Sequence, residues 1–248
     1  MHSTDHNTAQ TESASISIVI PAWNEEQHLE ATLKSVKYSI QSVSENTEAY
    51  HWNVIVVDNN STDGTANIAA QAGANVVFDP VNQIARARNT GARASNSDWL
   101  IFLDADTTLS ADLLAETINA LASGLVVGGG STVAVDRELQ GLTKVLLQGW
   151  NWYSVRFGFA AGCYIFCRKD DFDNAGGFDE RYYAAEEFYL STQLRKQAKI
   201  RNHQFVILDT HPIVSSARKI EWYSGTQKIR QLLPVSYTHL TLPTTPYV

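Results

Sequence analysis

Short runs of apolar residues, separated by apolar positions at helical spacing, organise the first half of the chain. Residues 16–20 (ISIVI), 54–57 (VIVV), 75–78 (NVVF) and 99–103 (WLIFL) form the runs. Such runs suit strands buried on both faces. Between them, residues 25–40 place Leu29, Leu33, Val36 and Ile40 on one helical face, and 65–72, 84–94 and 112–122 read as further helices. Strand and helix in alternation predict an α/β fold with a parallel sheet. Right-handed crossovers then bring the C-terminal ends of the strands to one edge, where open α/β sheets bind ligands.

The second half is less regular. Residues 126–135 read as a strand containing Gly128, Gly129 and Gly130, and 139–157 as a helix rich in aromatics. A strand at 164–167 follows, then a turn at NAGGFDE, a helix at 189–198, a strand at 205–208 and a last helix at 221–233. Neither a repeat nor a linker interrupts the pattern. It predicts one globular unit, with a Rossmann-like lobe over 16–125 and a smaller mixed lobe over 126–234.

Composition narrows this picture. At 248 residues and 44% hydrophobic, the chain can bury a large core. A net charge of −7 argues against nucleic acid as a partner. Cys163 and Cys167 are four apart; on one strand they would be roughly 13 Å apart, too far to bridge. They read as free thiols of a reducing cytoplasm. Residues 1–15 are polar, without the apolar centre of a signal peptide, and predict a disordered tail. The apolar stretch at 142–167 is broken by Lys144, Gln148, Asn151 and Arg156, so no membrane-spanning helix is expected. Residues 235–248 (VSYTHLTLPTTPYV) carry no charge and fit no amphipathic pattern. Their first eleven residues match a translated transposon-end sequencing adapter, so the segment reads as a read-through scar and stays outside the fold.

Chemistry collects at three strand ends. Strand one runs into Pro21, Asn24, Glu25 and Glu26, strand two into DNNSTDGT from Asp58, and strand four into Asp104-Ala105-Asp106. Asp and Asn after a strand also make turns and helix caps, and Asp63 suits a cap. Three acidic ends meeting at one edge of an acidic protein are costly without a cation. In an extended strand end Asp104 and Asp106 face the same way. Hard carboxylate oxygens suit Mg2+ or Mn2+ held together with a substrate diphosphate. Of the cations after strand three, Arg86 and Arg93 share one helical side, and Arg88 lies off that line beside Asn89.

The segments ISIVIPAWNEE, VIVVDNNSTDGT, ARNTGARAS, WLIFLDADT, GGFDE and EEFYLSTQLRK stand in the order found in family 2 glycosyltransferases of the GT-A fold. The resemblance covers residues 16–219. It implies transfer of a sugar from a nucleotide diphospho-sugar, UDP- or GDP-linked, with a divalent metal and inversion at the anomeric carbon. By the same resemblance Pro21, Asn24 and Glu25 line the nucleotide, Asp58 binds the base, and Arg88 lies near the nucleotide. Asp104 neighbours ribose and metal, and Asp106 ligates the metal. Arg218, in a segment with Ser215, Ser216 and Lys219, approaches the diphosphate. His211 lies where some relatives carry a third metal ligand, although a lone His after Asp-Thr is more often a loop or satisfied histidine.

The family's base is the Asp of a Glu-Asp pair after the Gly-Phe-Asp-Glu turn. Here the pair is Glu186-Glu187; the resemblance points to Glu187, with Glu186 as the alternative. The expected acceptor is a sugar, a lipid phosphate or a small molecule, met in the cytoplasm or at the inner face of a membrane. The glycine triplet is read as a tight turn or a close approach to the sugar. The aromatics of GWNWYSVRFGF are read as core, as acceptor platform or as a membrane-facing surface. A non-catalytic nucleotide-sugar binder and a sugar nucleotidyltransferase are the competing classes. The second would want a Gly-rich loop with a cation where PAWNEE stands.

Overall fold

The computed structural model describes residues 14–45, 50–182 and 185–218. The expected tail up to residue 13, the helix expected at 221–233 and the segment 235–248 lie outside the described residues.

In chain order the elements are β1 (Ala14–Ala22), α1 (Leu29–Ser44), β2 (Tyr50–Asp58), α2 (Thr65–Gln71), β3 (Asn75–Phe78), α3 (Ile84–Arg93) and β4 (Trp99–Leu103). There follow β5 (Thr107–Thr108), α4 (Ala111–Ala122), β6 (Val126–Val135), α5 (Gly141–Phe157), β7 (Tyr164–Arg168), α6 (Lys169–Ala175), α7 (Glu186–Arg201) and β8 (Gln204–Ser215). All strands join one sheet in the order β3-β2-β1-β4-β7-β6-β8-β5. The first four are parallel, as are β6 and β8. Strand β7 runs antiparallel between β4 and β6, and β5 pairs antiparallel with β8. This α/β sheet flanked by helices is the expected architecture.

The unbroken apolar runs are explained by two cores, one on each face of the sheet. Ile16, Ile18, Ile20, Ile101 and Leu103 pack with Leu29, Leu33 and Val36 of α1 and Leu113, Leu114 and Ile118 of α4. Their strand neighbours Val19, Ile55, Val57, Leu100 and Phe102 pack with Ala85 and Ala92 of α3, Phe172 and Phe178, and Leu190 and Leu194 of α7. Successive strand residues point to opposite faces, so a strand covered on both sides is apolar at every position.

The structure corrects several expected details. Helix α1 begins at Leu29 and not at residue 25, because residues 25–28 form a turn in which Leu29 N–H donates to the Glu25 carbonyl at 2.9 Å. The two-residue β5 and the seven-residue α6 were too short to leave a periodic signal. The glycine triplet is not a tight turn. It lies inside β6, where a Cβ on Gly129 would stand 2.0 Å from the Val206 carbonyl oxygen and one on Gly128 2.5 Å from that of Phe166. The triplet lets the backbones of β7 and β8 close on both sides of β6. Gly129→Ala is therefore expected to cost about 1–3 kcal/mol through overpacking against backbone that cannot yield. Urea unfolding reads this directly, and an unchanged midpoint would contradict it. No described helix is long and apolar enough to cross a membrane.

Candidate active site

The parallel register of β1 and β2 sets Ala22 beside Asp58, so the loops after both strands leave from one edge. These loops are laced together. The Asn24 side-chain oxygen accepts from Thr62 N–H at 2.8 Å, and Asn24 N–H donates to Ser61 Oγ at 3.1 Å. Asn24 has φ of 52°, a left-handed conformation that asparagine tolerates better than most residues. Glu25 N–H donates to Thr65 Oγ1 at 2.8 Å, and Glu26 Oε2 accepts from Gly64 N–H at 2.9 Å. Asp63 Oδ1 accepts from Thr65 N–H at 3.0 Å and Oδ2 from Glu26 N–H at 3.2 Å; it makes an Asx turn before α2 and not the expected cap, since the N-cap is Gly64 and has no side-chain cap bond. Asp58 is buried, with one carboxylate oxygen accepting from Ser61 N–H at 2.9 Å. Pro21 lies within β1, opposite Val57.

Strand β4 delivers Asp104 and Asp106 to the same edge, each only 8% exposed. Their loop is pinned through its backbone. Thr107 Oγ1 donates to the Asp104 carbonyl at 2.6 Å, and Thr32 Oγ1 to the Ala105 carbonyl at 2.8 Å.

Two arginines meet this loop from opposite sides. Arg88, on α3, is 1% exposed. Its Nη2 donates to Asp104 Oδ1 at 2.9 Å and to the Gly162 carbonyl at 2.7 Å, while Nη1 donates to Glu186 Oε1. The guanidinium also lies 5.1 Å from the centre of the Phe178 ring. Burial works against its charge, but Asp104, Glu186 and Glu187 outweigh burial and hold its pKa above the ordinary arginine value. Arg218 comes from the other side: its Nε donates to Asp106 Oδ2 at 3.0 Å, and its Nη2 to Glu25 Oε1. The end of β8 carries it there, with Ser215 opposite Thr107 and Ser216 N–H donating to the Asp106 carbonyl at 3.1 Å.

Glu186 and Glu187 open α7. Glu186 is 4% exposed and takes the Arg88 charge. Glu187 stays partly open and flanks the same glycine. A Cβ on Gly162 would stand 3.4 Å from Arg88 Nη2 and 3.7 Å from Glu187 Oε2. Burial, then the neighbouring Glu186 charge, push the Glu187 carboxyl up to about 8, against the pull of Arg88. A carboxyl so displaced is a weak acid near neutral pH and, once ionised, a stronger base than an ordinary glutamate.

His211 is not brought to this cluster. It lies on β8 with Nδ1 3.1 Å from Glu116 Oε2 of α4, four residues along the strand from Ser215. The expectation of a third metal ligand there is not met, because its strand position pairs it with a helix on the flank. Arg86 pairs with Asp79 at 2.9 Å, and Arg93 is exposed, so of that group Arg88 alone enters the cluster.

Sequence reasoning missed three participants. The Gly162 carbonyl and the Phe178 ring hold Arg88, and Asn89 clamps the GGF turn by accepting from Phe178 N–H at 2.9 Å and donating to the Phe178 carbonyl at 2.8 Å. A backbone carbonyl leaves no trace in side-chain patterning. The Asn beside Arg88 was visible, but not its partner 89 residues away.

The residues fit a hard divalent cation in one respect. Asp104 and Asp106 are buried carboxylates, and each already faces a positive group. Among the described residues, no three His, Cys, Asp or Glu side chains group as a metal site. The protein thus offers one or two carboxylates, the number with which Mg2+ is commonly held when substrate phosphates complete its shell.

Comparison with known proteins agrees with this fold. The family described as Glycosyl transferase family 2 matches residues 17–174. An uncharacterised glycosyltransferase of Mycobacterium tuberculosis H37Rv is 33% identical over 121 residues, 48% of this chain and 50% of the relative. The 4,4'-diaponeurosporenoate glycosyltransferase of Staphylococcus haemolyticus is 38% identical over 111 residues, 42% of this chain and 27% of the relative. The matches thus span half or less of these two relatives. Among solved structures, S. aureus TarS 1–349 in complex with UDP-GlcNAc superposes with a TM-score of 0.62 at 17% identity, covering 87% of this chain and 60% of that one. Glucosyl-3-phosphoglycerate synthase from M. tuberculosis, in complex with Mn2+, UDP and glucosyl-3-phosphoglycerate, gives 0.61 at 19% identity, covering 88% and 77%. At such identities these two likenesses speak for the fold.

Proposed function

The chain belongs to glycosyl transferase family 2, and on that premise we propose that it moves a sugar from a UDP-linked donor to an acceptor hydroxyl, with inversion and with a divalent metal. The observation that carries this reading is the Arg88 cluster. One guanidinium ties Asp104, at the end of β4, to Glu186, at the start of α7, and so holds the strand-end carboxylates and Glu187 in one place. The UDP and Mn2+ in the synthase complex and the UDP-GlcNAc bound to TarS favour UDP over GDP.

In this reading residues 16–125 hold the donor, and the chain from 126 onward supplies the base and the acceptor side. Asp58 accepts from the base N–H, while Pro21, Asn24 and Glu25 line the nucleotide. Asp104 lies toward the ribose, and Asp106, with Asp104 beside it, would hold Mn2+ or Mg2+. The bound ion would neutralise charge on the departing diphosphate. Arg218 leaves its carboxylate partners to meet the diphosphate. Glu187 takes the acceptor proton as the acceptor oxygen bonds to the anomeric carbon. That carbon's bond to the diphosphate oxygen breaks on the opposite face, and the nucleoside diphosphate leaves with the electron pair.

Thermal unfolding with UDP and with GDP, each with and without Mn2+, tests the donor. Bound at 100 times its Kd, a ligand adds about 2.7 kcal/mol to stability. The expected result is a shift with UDP that depends on Mn2+. Release of pyrophosphate in place of UDP during turnover would overturn the reading in favour of nucleotidyl transfer.

A further inference from the structure

Helix α5 carries large apolar side chains on both its inner and its outer side, and among the described residues the fold covers only the inner one. Its sequence is GLTKVLLQGWNWYSVRF, and among its seventeen residues only Ser154 is fully buried. The inner side is built normally. Asn151 bonds both backbone groups of Val133, Trp150 meets Phe188 at 5.7 Å between ring centres, and Tyr153 stacks on Phe159 at 5.8 Å. The outer side carries Leu142, Val145, Trp152 and Val155, from 43% to 65% exposed. Helical spacing sets Val145, Trp152 and Arg156 on one line, with Lys144 at its flank. Large apolar side chains left exposed together on one side of a helix ordinarily mark a contact surface.

The charge on α5 itself has one sign: its seventeen residues contain no Asp or Glu and two cations, Lys144 and Arg156, and the nearest acid before it along the chain is Glu138. A second copy related by a two-fold axis would bring Lys144 and Arg156 toward their own images with no acid on the face to offset them. Residues 219–248 also suit it poorly, with Lys219, Lys228 and Arg230 against a single Glu221. An anionic lipid surface suits it on both counts. Headgroups take the two cations, and Trp152 lies with Leu142, Val145 and Val155 at the depth that tryptophan favours.

We propose that the outer face of α5 docks this protein onto an anionic lipid surface. The docking stands on the exposed face and its charge, and does not depend on the sugar-transfer reading. If both hold, docking brings the candidate site to the lipid surface. Trp150, on the inner side of α5, touches Phe188, the residue after Glu187, and the loop that follows α5 supplies the Gly162 carbonyl to Arg88. A membrane-borne acceptor would then be presented to the base.

The test is flotation of the full chain with vesicles of phosphatidylcholine alone and of phosphatidylcholine with phosphatidylglycerol. The expected result is recovery with the anionic vesicles at least tenfold above that with neutral ones, lost in high salt. V145E/W152E and, separately, K144E/R156E should each lower recovery at least tenfold, while the thermal shift with UDP and Mn2+ stays unchanged. That last measurement keeps failure of docking distinct from failure of the donor reading. Hydrogen exchange of residues 142–156 in the unaltered chain, slowed by anionic vesicles, gives the same answer without substitution. No flotation of the unaltered chain, or equal flotation of both variants, would overturn the proposal. So would a dimer in solution that V145E/W152E converts to monomer, since a second copy would then cover the face.

Discussion

Glu187→Gln is expected to lower turnover by about 10²–10⁴-fold, the range a positioned general base contributes, and to leave donor binding unchanged. The amide keeps the shape of the side chain but cannot take the acceptor proton. The pH profile adds a second readout. Because burial and Glu186 push the Glu187 carboxyl up to about 8, the free enzyme holds it largely protonated at neutral pH. The rate at low substrate should therefore rise with pH and level off above about 8, and the residual rate of the Gln variant should lose that rise. Stability carries the opposite sign. A carboxyl whose folded pKa is raised binds more protons folded than unfolded. It thus costs stability as pH rises from the ordinary glutamate range toward about 8, and the Gln variant should lose that dependence. Glu186→Gln provides the contrast. It removes the carboxylate that pairs with the buried Arg88, so its main effect should be on folding stability. Full activity in Glu187→Gln, with loss of the pH-dependent rise in Glu186→Gln, would exchange the two assignments.

Asp106→Ala is expected to abolish the Mn2+-dependent part of donor binding. It should also lower kcat/KM by about 10³-fold, the equivalent of about 4 kcal/mol of transition-state stabilisation. The same change removes the acceptor for Arg218 Nε, so the two roles of Asp106 must be separated. Arg218→Gln does so: it should weaken donor binding while keeping the dependence on Mn2+. The measurement is calorimetric titration of UDP with and without Mn2+ for both variants. A Mn2+-dependent enthalpy that survives in Asp106→Ala would remove Asp106 from the metal.

Much of the candidate site was legible as a cluster because its residues follow strands that announce themselves. WLIFL before Asp104 and VIVV before Asp58 are apolar throughout, and a parallel α/β sheet places such strand ends together. The choice of Glu187 over Glu186 rested on the resemblance alone, since two adjacent glutamates are equivalent until something is packed against one of them; in the structure it is Glu186 that pairs with Arg88. His211 misled for a related reason. Its distance along the chain from the strand ends says nothing of register, and the long β8 sets it beside Glu116.

By itself the sequence determined the alternation of buried strands and helices, the edge at which Asp58, Asp104 and Asp106 emerge, and the family. Each is a matter of local pattern or of short motifs in order, and local pattern survives without coordinates. The tertiary structure alone decided which groups share a charge. It placed Arg88 between Asp104 and Glu186, laid Arg218 across Asp106 and Glu25, closed the backbone of β6 against its neighbours, and, among the described residues, left the outer side of α5 uncovered. Those outcomes depend on burial and on contacts between residues far apart in the chain. Electrostatic energies vary steeply with distance and dielectric, and neither can be read from the order of residues.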